Sequence, residues 1–255
     1  MSESQSLAVL AFGPHPDDVE IFAGGIICSL TRDGHPVGII DLTEGELGSR
    51  GSVEERRREA AAAAEILGVA FRSNLGLPDG GIENSEAARR QVIREIRRHR
   101  PEILLIPAPE CRHPDHGAAA RLVSDASFFS GLRKIEVEDG DGVALEAYRP
   151  THVLHYIQSI DLPADLVVDV GEVWDQKMEA VRAYGSQVHN PAYQSMAAEP
   201  TTFVSDPGFL RWIEARAVAA GYRAGFAYGE GLIYRHGPIG TRDLISLLGS
   251  GRRKA

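Results

Sequence analysis

Short apolar runs alternate along the chain with longer segments in which apolar residues recur every three or four positions. The short runs are typical of buried strands, and the longer segments are typical of helices that pack on them. The pattern predicts strands at 7–12, 37–42, 69–75, 103–107, 152–157 and 166–170. It predicts helices near 19–33, 53–67, 85–100, 116–129, 173–184 and 207–220. This alternation indicates an α/β protein, namely a Rossmann-like, doubly wound, mostly parallel sheet with helices on both faces.

Helix-stopping residues agree with these boundaries. Gly34, Gly68 and Pro101 stand where predicted helices end, by left-handed capping or by loss of the amide donor. A chain of 255 residues is long enough for one well-packed α/β domain. We therefore expect a single domain over 1–255 with its core at about 7–245. The segment 185–207 contains three prolines and is predicted to be a long loop that forms a pocket wall or lid.

Composition and charge narrow the classes of partner. The net charge of -9 repels polyanions, and no basic patch overcomes it, so we expect no nucleic-acid partner. No apolar stretch approaches the roughly 20 residues that span a bilayer, and the N-terminal residues do not follow the pattern of a secretion signal. We therefore expect a cytoplasmic protein without a membrane partner. The two cysteines, Cys28 and Cys111, form no Cys-x-x-Cys pair.

Unusual polar residues follow three predicted strands, in the loops 13–18, 43–52 and 108–116. Ligands of doubly wound sheets bind at the carboxyl ends of the strands, near the switch in strand order. The first and third loops each contain histidines or carboxylates in close succession: His15, Asp17, Asp18, His113, Asp115 and His116. We expect these two motifs to meet at one edge of the sheet.

A dinucleotide site is the obvious alternative for the first loop. Such a site needs glycines at the first strand-to-helix turn and avoids negative charge there. Here Asp17 and Asp18 would repel phosphate and Gly13 lacks its partner glycines, although Asp41 imitates the acid that binds ribose. Imidazole and carboxylate instead suit zinc or iron, and three protein ligands leave a position for water. The sequence therefore favours a metal site.

The two motifs, His-Pro-Asp-Asp at 15–18 and His-Pro-Asp-His at 113–116, resemble those of the LmbE-like, or PIG-L-type, zinc-dependent N-acetylglucosamine deacetylases. The resemblance extends through 41–51, 74–80, 183–187 and 228–231, and covers roughly residues 7–245. These stretches are most similar to the bacillithiol-pathway branch, the N-acetylglucosaminyl-L-malate deacetylases.

The resemblance implies a role for each motif residue. His15, Asp18 and His116 would bind Zn²⁺ or another divalent metal such as Fe²⁺. Asp17 would be the general base that takes a proton from the attacking water. His113 would donate to the oxyanion, and Asp115 would orient His113 and favour its protonated form.

The resemblance also implies a substrate pocket. Arg56 would bind a carboxylate of a malate aglycone with its guanidinium fork, although at least one of the three consecutive arginines at 56–58 must face solvent. Glu46, Ser49 and Arg50 would line the same pocket, with a plain loop role as the alternative. Two positions depart from the family pattern: Phe209 replaces a tyrosine of some relatives, and Cys111 stands where a polar or acidic residue is expected.

We therefore expect a zinc-dependent hydrolase that removes acetate from an N-acetylglucosamine conjugate, foremost N-acetylglucosaminyl-L-malate. Three alternatives remain open: deacetylation of N-acetylglucosamine or chito-oligosaccharides, hydrolysis of a thiol-conjugate amide, and a non-catalytic metal- or nucleotide-binding module. The partner is a small-molecule glycoside substrate, and the resemblance implies a homo-oligomer, either a trimer or a hexamer.

Overall fold

A computed structural model describes residues 6–193, 198–235 and 237. The strands are β1 Val9–Gly13, β2 Val37–Asp41, β3 Phe71–Asn74, β4 Ile103–Pro107, β5 His152–Tyr156, β6 Leu166–Asp169 and β7 Gly229–Tyr234. The helices are α1 Asp18–Arg32, α2 Val53–Leu67, α3 Glu86–His99, α4 Pro114–Phe129, α5 Trp174–Arg182 and α6 Phe209–Ala224. The end of the predicted core, at 238–245, and residues 194–197 of the predicted loop lie outside the described residues.

The sheet has seven strands in the order β3-β2-β1-β4-β5-β7-β6. Strands β1 to β5 pair in parallel, and β7 runs antiparallel between β5 and β6. The mostly parallel sheet is therefore confirmed. Strand β7 was not predicted, because its sequence begins Gly-Glu-Gly and leaves a very short apolar run.

Two hydrophobic cores lie on opposite faces of the sheet. Side chains alternate between faces along a strand, so Val9 and Ala11 of β1 join one core while Leu10 and Phe12 join the other. Helices α1, α2, α5 and α6 cover the first face, and α3 and α4 cover the second. The predicted two-sided helix cover is confirmed.

The order of strands reverses at β1, which has β2 on one side and β4 on the other. The loops after β1 and β4 therefore open side by side at the carboxyl edge of the sheet, where doubly wound folds bind ligands. Both histidine motifs lie in these two loops.

Helix α1 is anchored in the middle by a carboxylate from β7. Glu230 accepts hydrogen bonds from the backbone N–H groups of Gly25 and Ile26, at 3.0 and 2.8 Å, and pairs with Lys177 at 2.6 Å. Glu230 and Lys177 are both buried, so the helix that begins at the first motif is fixed to β7, the last strand but one of the sheet. Within the described part of the chain, no helix has the length and apolar character needed to cross a bilayer.

Candidate metal centre and active site

The loop after β1 is tightly held. Pro14 O accepts both the N–H and the hydroxyl of Thr43, at 3.1 and 2.9 Å, which fixes the loop to the end of β2. Asp17, the residue before α1, has a φ of 127°. A non-glycine residue with positive φ stores strain of about 1–3 kcal/mol and is commonest at functional sites. The loop therefore holds Asp17 in a conformation that the surrounding structure imposes.

Two histidines from different motifs meet at one carboxylate. Asp18 Oδ2 lies 3.1 Å from His15 Nδ1, and Asp18 Oδ1 lies 3.2 Å from His116 Nε2. All three residues are buried. The structure therefore brings together the three predicted metal ligands, although about a hundred residues of sequence separate the two motifs.

The outer nitrogen of His15 faces two further carboxylates. His15 Nε2 lies 3.1 Å from Asp79 Oδ1 and 3.3 Å from Asp115 Oδ2. Burial opposes protonation, but hydrogen bonds with Asp115, Asp18 and Asp79 raise the pKa of His15 to about 12. Ionised carboxylates therefore face both ring nitrogens, Asp18 at Nδ1 and Asp79 and Asp115 at Nε2. Because Asp18 is itself a predicted ligand, a metal held with it would take Nδ1 and leave the Nε2–H to donate to Asp79 and Asp115.

His116 is oriented in the same way by a different acceptor. Its Nδ1 lies 3.0 Å from Cys111 Sγ, while its Nε2 faces Asp18. Burial opposes the shift, but Asp18 raises the pKa of His116 to about 9. Burial likewise opposes ionisation of Cys111, yet the hydrogen bond with His116 lowers the pKa of its thiol to about 6.

His113 is the first residue before α4 and caps that helix. Its Nδ1 accepts the backbone N–H of Asp115 at 3.3 Å, and its ring centroid lies 4.8 Å from that of His15. Burial and the neighbouring histidines His15 and His116 lower the pKa of His113. A neutral ring that accepts at Nδ1 must carry its proton at Nε2, so His113 is a donor even though its nitrogens lie near those of the other two histidines.

Asp115 differs from its sequence-based expectation. Its carboxylate accepts from Gly80 N–H at 2.7 Å and contacts His15, whereas only its backbone N–H reaches His113. The charge of Asp115 does raise the pKa of His113, as predicted, but burial and the charges of His15 and His116 outweigh it, so the net shift is downward. The carboxylate of Asp115 therefore orients His15 and not His113.

Asp17 lies beside the centre, where the charges of His15 and Asp18 act on its carboxylate. Burial raises the pKa of Asp17 to about 7, against the opposing charge of Arg56. Within the described residues, neither carboxylate oxygen accepts a hydrogen bond. A buried carboxylate of this pKa can take and return a proton near neutral pH.

Arg56 is the buried arginine of the three at 56–58. Its Nη2 donates to Gln187 Oε1, and its guanidinium packs so closely on Gly45 that any side chain there would collide with it. The charge of Arg56 acts on Asp17. Arg56 therefore stands beside the site, between the loop 43–52 and the segment 185–207.

Arg50 contradicts its expected place in the pocket lining. Its guanidinium is buried and donates to the backbone carbonyls of Ser186 at 2.9 Å and Pro200 at 3.1 Å. These bonds fasten the segment 185–207 to the loop 43–52. Arg50 is therefore a structural residue, because its guanidinium donates hydrogen bonds to backbone carbonyls of the protein itself.

Glu46 and Ser49 are exposed on the same loop. Glu46 Oε1 accepts the backbone N–H of Asp79 at 2.8 Å, and Asp79 Oδ2 accepts Leu47 N–H at 2.8 Å. The loop 43–52 is thus tied to Asp79, whose other oxygen contacts His15. The hydrogen bond with His15 lowers the pKa of Asp79 to about 2.

Asp41 is buried inside the protein and is not presented to a ribose. Arg72 donates to both of its oxygens, at 2.7 and 2.8 Å. Its carboxylate is buried in this ion pair. Asp41 therefore has a structural role in this ion pair, although its position in the sequence resembles that of the ribose-binding acid of a dinucleotide site.

Sequence reasoning missed two residues of the site, Asp79 and Gln158. Asp79 lies in the loop after β3, and Gln158 follows β5 and donates to Asp18 Oδ1 at 3.2 Å. Both loops open at the same edge as the histidine motifs, so extending the strand-end rule to every strand would have found them. Phe209, by contrast, is a core residue that packs against Phe203 and Trp212.

The donor set fits a divalent metal. Two buried imidazole nitrogens and a carboxylate converge, and each imidazole has an acceptor on its outer nitrogen, as metal-binding histidines usually do. The residues that would hold the ion are His15 through Nδ1, Asp18 through its carboxylate and His116 through Nε2. Fold and site together define a Rossmann-like α/β enzyme with a buried histidine–carboxylate centre at the switch in strand order.

Comparison with known proteins identifies the family. The family model described as PIG-L, GlcNAc-PI de-N-acetylase, matches residues 10–127. The chain is 32% identical over 238 residues to the diacetylchitobiose deacetylase of Thermococcus kodakarensis, covering 88% of this chain and 81% of that protein. It is 28% identical over 222 residues to a probable N-acetyl-alpha-D-glucosaminyl L-malate deacetylase 2 of Bacillus cereus, with 81% and 94% covered.

A solved structure agrees with these relatives. The conserved protein TT1542 of Thermus thermophilus is 33% identical, with a TM-score of 0.80 and coverage of 92% of this chain and 98% of that one. The chain belongs to the PIG-L, or LmbE-like, family of metal-dependent deacetylases. The resemblance predicted from the two motifs is confirmed.

Proposed function

We propose that the chain hydrolyses the N-acetyl amide of an N-acetylglucosamine conjugate with the help of a bound zinc ion. The observation that carries the proposal is the convergence of His15, Asp18 and His116 beside a carboxylate, Asp17, that accepts no hydrogen bond from the described residues. A divalent ion held there would supply Lewis acidity, acidifying a water and polarising the acetamide carbonyl.

Each side chain then has a separate task. Asp17 takes a proton from the attacking water and returns it to the departing amine nitrogen, as its raised pKa allows. His113 donates its Nε2–H to the oxygen that gains negative charge. Asp18 stays ionised because His116 and His15 hold its pKa below the usual range despite its burial. Acetate and a free amine are the products.

For the substrate, we propose N-acetylglucosaminyl-L-malate. Support comes from Arg56, a buried guanidinium beside Asp17 that suits a carboxylate of the aglycone, and from the B. cereus relative. Diacetylchitobiose is the second candidate, favoured by the T. kodakarensis relative.

Release of acetate and of primary amine from these two substrates and from free N-acetylglucosamine tests the proposal. We expect turnover that is lost in Asp17→Asn and His116→Ala and retained in Arg57→Ala, an exposed neighbour of Arg56. Full activity of Asp17→Asn would overturn the mechanism. A preference for the malate conjugate that survives in Arg56→Ala would remove the role of Arg56, and a higher kcat/KM for diacetylchitobiose would favour the second candidate.

The proposal extends to metal identity, assembly and location. The donor set suits zinc and also permits Fe²⁺, so metal analysis after purification in defined medium decides between them. Family resemblance supports a trimer or hexamer, which light scattering would measure, and a cytoplasmic location, which cell fractionation would test.

A further inference from the structure

We propose that Cys111 is a positioning residue of the metal centre, whose sulfur accepts the Nδ1–H of His116 and thereby holds Nε2 toward Asp18. The inference rests on the proposed metal centre and concerns how tightly that centre holds its ion. Nδ1 of His116 lies 3.0 Å from Cys111 Sγ, and Nε2 lies 3.2 Å from Asp18 Oδ1. A neutral imidazole has one proton, so a proton donated to sulfur leaves the lone pair of Nε2 for the metal.

The sulfur is itself fixed by the loop after β5. Ser159 Oγ lies 3.0 Å from Cys111 Sγ, and the preceding residue, Gln158, donates to Asp18 Oδ1 at 3.2 Å. Two consecutive residues therefore support two different ligands, one directly and one through sulfur. This arrangement limits rotation of the His116 ring.

A second observation at the same place points to a bound group. Gln158 is fully buried, and its Oε1 has no hydrogen-bond partner among the described residues. Buried acceptors without a partner are rare in proteins and call for an additional polar group. Nε2 of the same side-chain amide donates to Asp18, so Oε1 of Gln158 lies close to the carboxylate that would bind the metal. A water molecule or a ligand bound at the centre would supply the missing hydrogen bond to Oε1.

The two histidines of the centre therefore have unequal support. Two carboxylates, those of Asp79 and Asp115, face the outer nitrogen of His15, whereas a single sulfur faces that of His116, and sulfur accepts hydrogen bonds more weakly than oxygen does. Removal of an acceptor behind a metal-binding histidine typically costs 10–100-fold in metal affinity. Cys111→Asp would replace the sulfur with a carboxylate, which is a stronger acceptor. Cys111→Ser would replace it with a hydroxyl on a shorter side chain, which reaches less far toward His116.

Zinc affinity by chelator competition, measured without substrate, tests the inference on Cys111→Ala, Cys111→Ser and Cys111→Asp. We expect Cys111→Ala to weaken zinc binding about 10–100-fold, Cys111→Ser to weaken it less, and Cys111→Asp to restore it to the wild-type level or above. The visible absorption spectrum of the Co²⁺-substituted protein should change in Cys111→Ala, because ligand orientation changes. Cys28→Ala, which removes the thiol buried in α1, is the matched control and should leave affinity and spectrum unchanged.

Equal zinc affinity and an identical Co²⁺ spectrum in wild type and Cys111→Ala would overturn the inference. Ser159→Ala, which leaves Cys111 and His116 in place, covers the case in which Cys111→Ala does not fold; we expect a smaller loss of zinc affinity, and no loss there would count against the inference. Failure of the proposed deacetylation would be seen separately, as a zinc-loaded wild-type protein that releases no acetate.

Discussion

The backbone N–H of Asp115 donates a hydrogen bond across 3.3 Å to Nδ1 of His113. This contact places the proton of neutral His113 on Nε2, which makes that nitrogen a donor toward the centre. Without it, His113 would be an equal candidate for metal ligation, since one ring nitrogen from each of His113, His15 and His116 lies within 4.8 Å of the other two. The capping of α4 by His113 thus gives this histidine a different role, as a hydrogen-bond donor, from that of His15 and His116 as metal ligands.

Substitution of His113 should therefore remove catalysis and keep the metal. We expect His113→Ala to lower kcat about 10²–10³-fold, as the loss of one oxyanion donor does, with the metal content of the purified protein unchanged. His116→Ala is the comparison, because it should lose both activity and metal. If His113→Ala lost metal to the same degree as His116→Ala, His113 would be a ligand.

Asp17 combines backbone strain with a buried carboxylate, so its removal should stabilise the fold while abolishing activity. Asp17→Gly can adopt the φ of 127° without strain, whereas Asp17→Ala cannot. We expect the free energy of unfolding in urea to be about 1–2 kcal/mol higher for Asp17→Gly than for Asp17→Ala, with both variants inactive. Equal stabilities would show that the loop relaxes at no cost.

Asp79 should control metal affinity through His15. Asp79→Ala removes the acceptor 3.1 Å from His15 Nε2, and we expect zinc binding to weaken about tenfold or more. Asp79→Asn retains an acceptor oxygen and should lose less. Glu46→Gln, which keeps an acceptor for the backbone N–H of Asp79, should match wild type in a chelator titration.

Arg50 should matter for stability more than for substrate binding. Arg50→Ala leaves the buried carbonyl of Ser186 and the carbonyl of the exposed Pro200 without their donor, so we expect a loss of about 1–3 kcal/mol in the free energy of unfolding and faster proteolysis within 185–207. Arg57→Ala breaks only exposed ion pairs, with Glu44 and Glu54, and should leave the free energy of unfolding nearly unchanged. If Arg50→Ala raised KM and left the free energy of unfolding unchanged, Arg50 would be a substrate-binding residue and not a structural one.

Two adjacent glycines of α1 provide a test of how β7 anchors this helix. A Cβ at Gly25 would lie 2.7 Å from Val170 and 3.0 Å from Glu230 Oε1, whereas a Cβ at Gly24 would have Lys177 Cγ as its nearest neighbour, at 3.2 Å. We expect Gly25→Ala to destabilise the protein by about 1–3 kcal/mol, and Gly24→Ala to be neutral or stabilising because alanine favours helix. Thermal unfolding of both variants measures the difference.

Much of the fold follows from local pattern. The six predicted helices and six predicted strands are present. Central strands such as β1 and β4 are continuously apolar because they are buried in the sheet, and the amphipathic helices carry a regular apolar stripe. Strand β7 escaped prediction because two glycines and a glutamate occupy half of it. Its Glu230 is buried for a tertiary reason, namely the backbone of α1.

The sequence by itself determined the chemistry of the two motifs and the edge of the sheet where they lie. Only the tertiary structure decided which nitrogen of each histidine faces Asp18, that Asp79 and Cys111 occupy the outer nitrogens of His15 and His116, and that Arg50 is fastened inside the protein. The physical reason is that tautomer and orientation depend on hydrogen-bond partners from other loops. Those partners are distant in sequence and become neighbours only when parallel strands bring their carboxyl ends together.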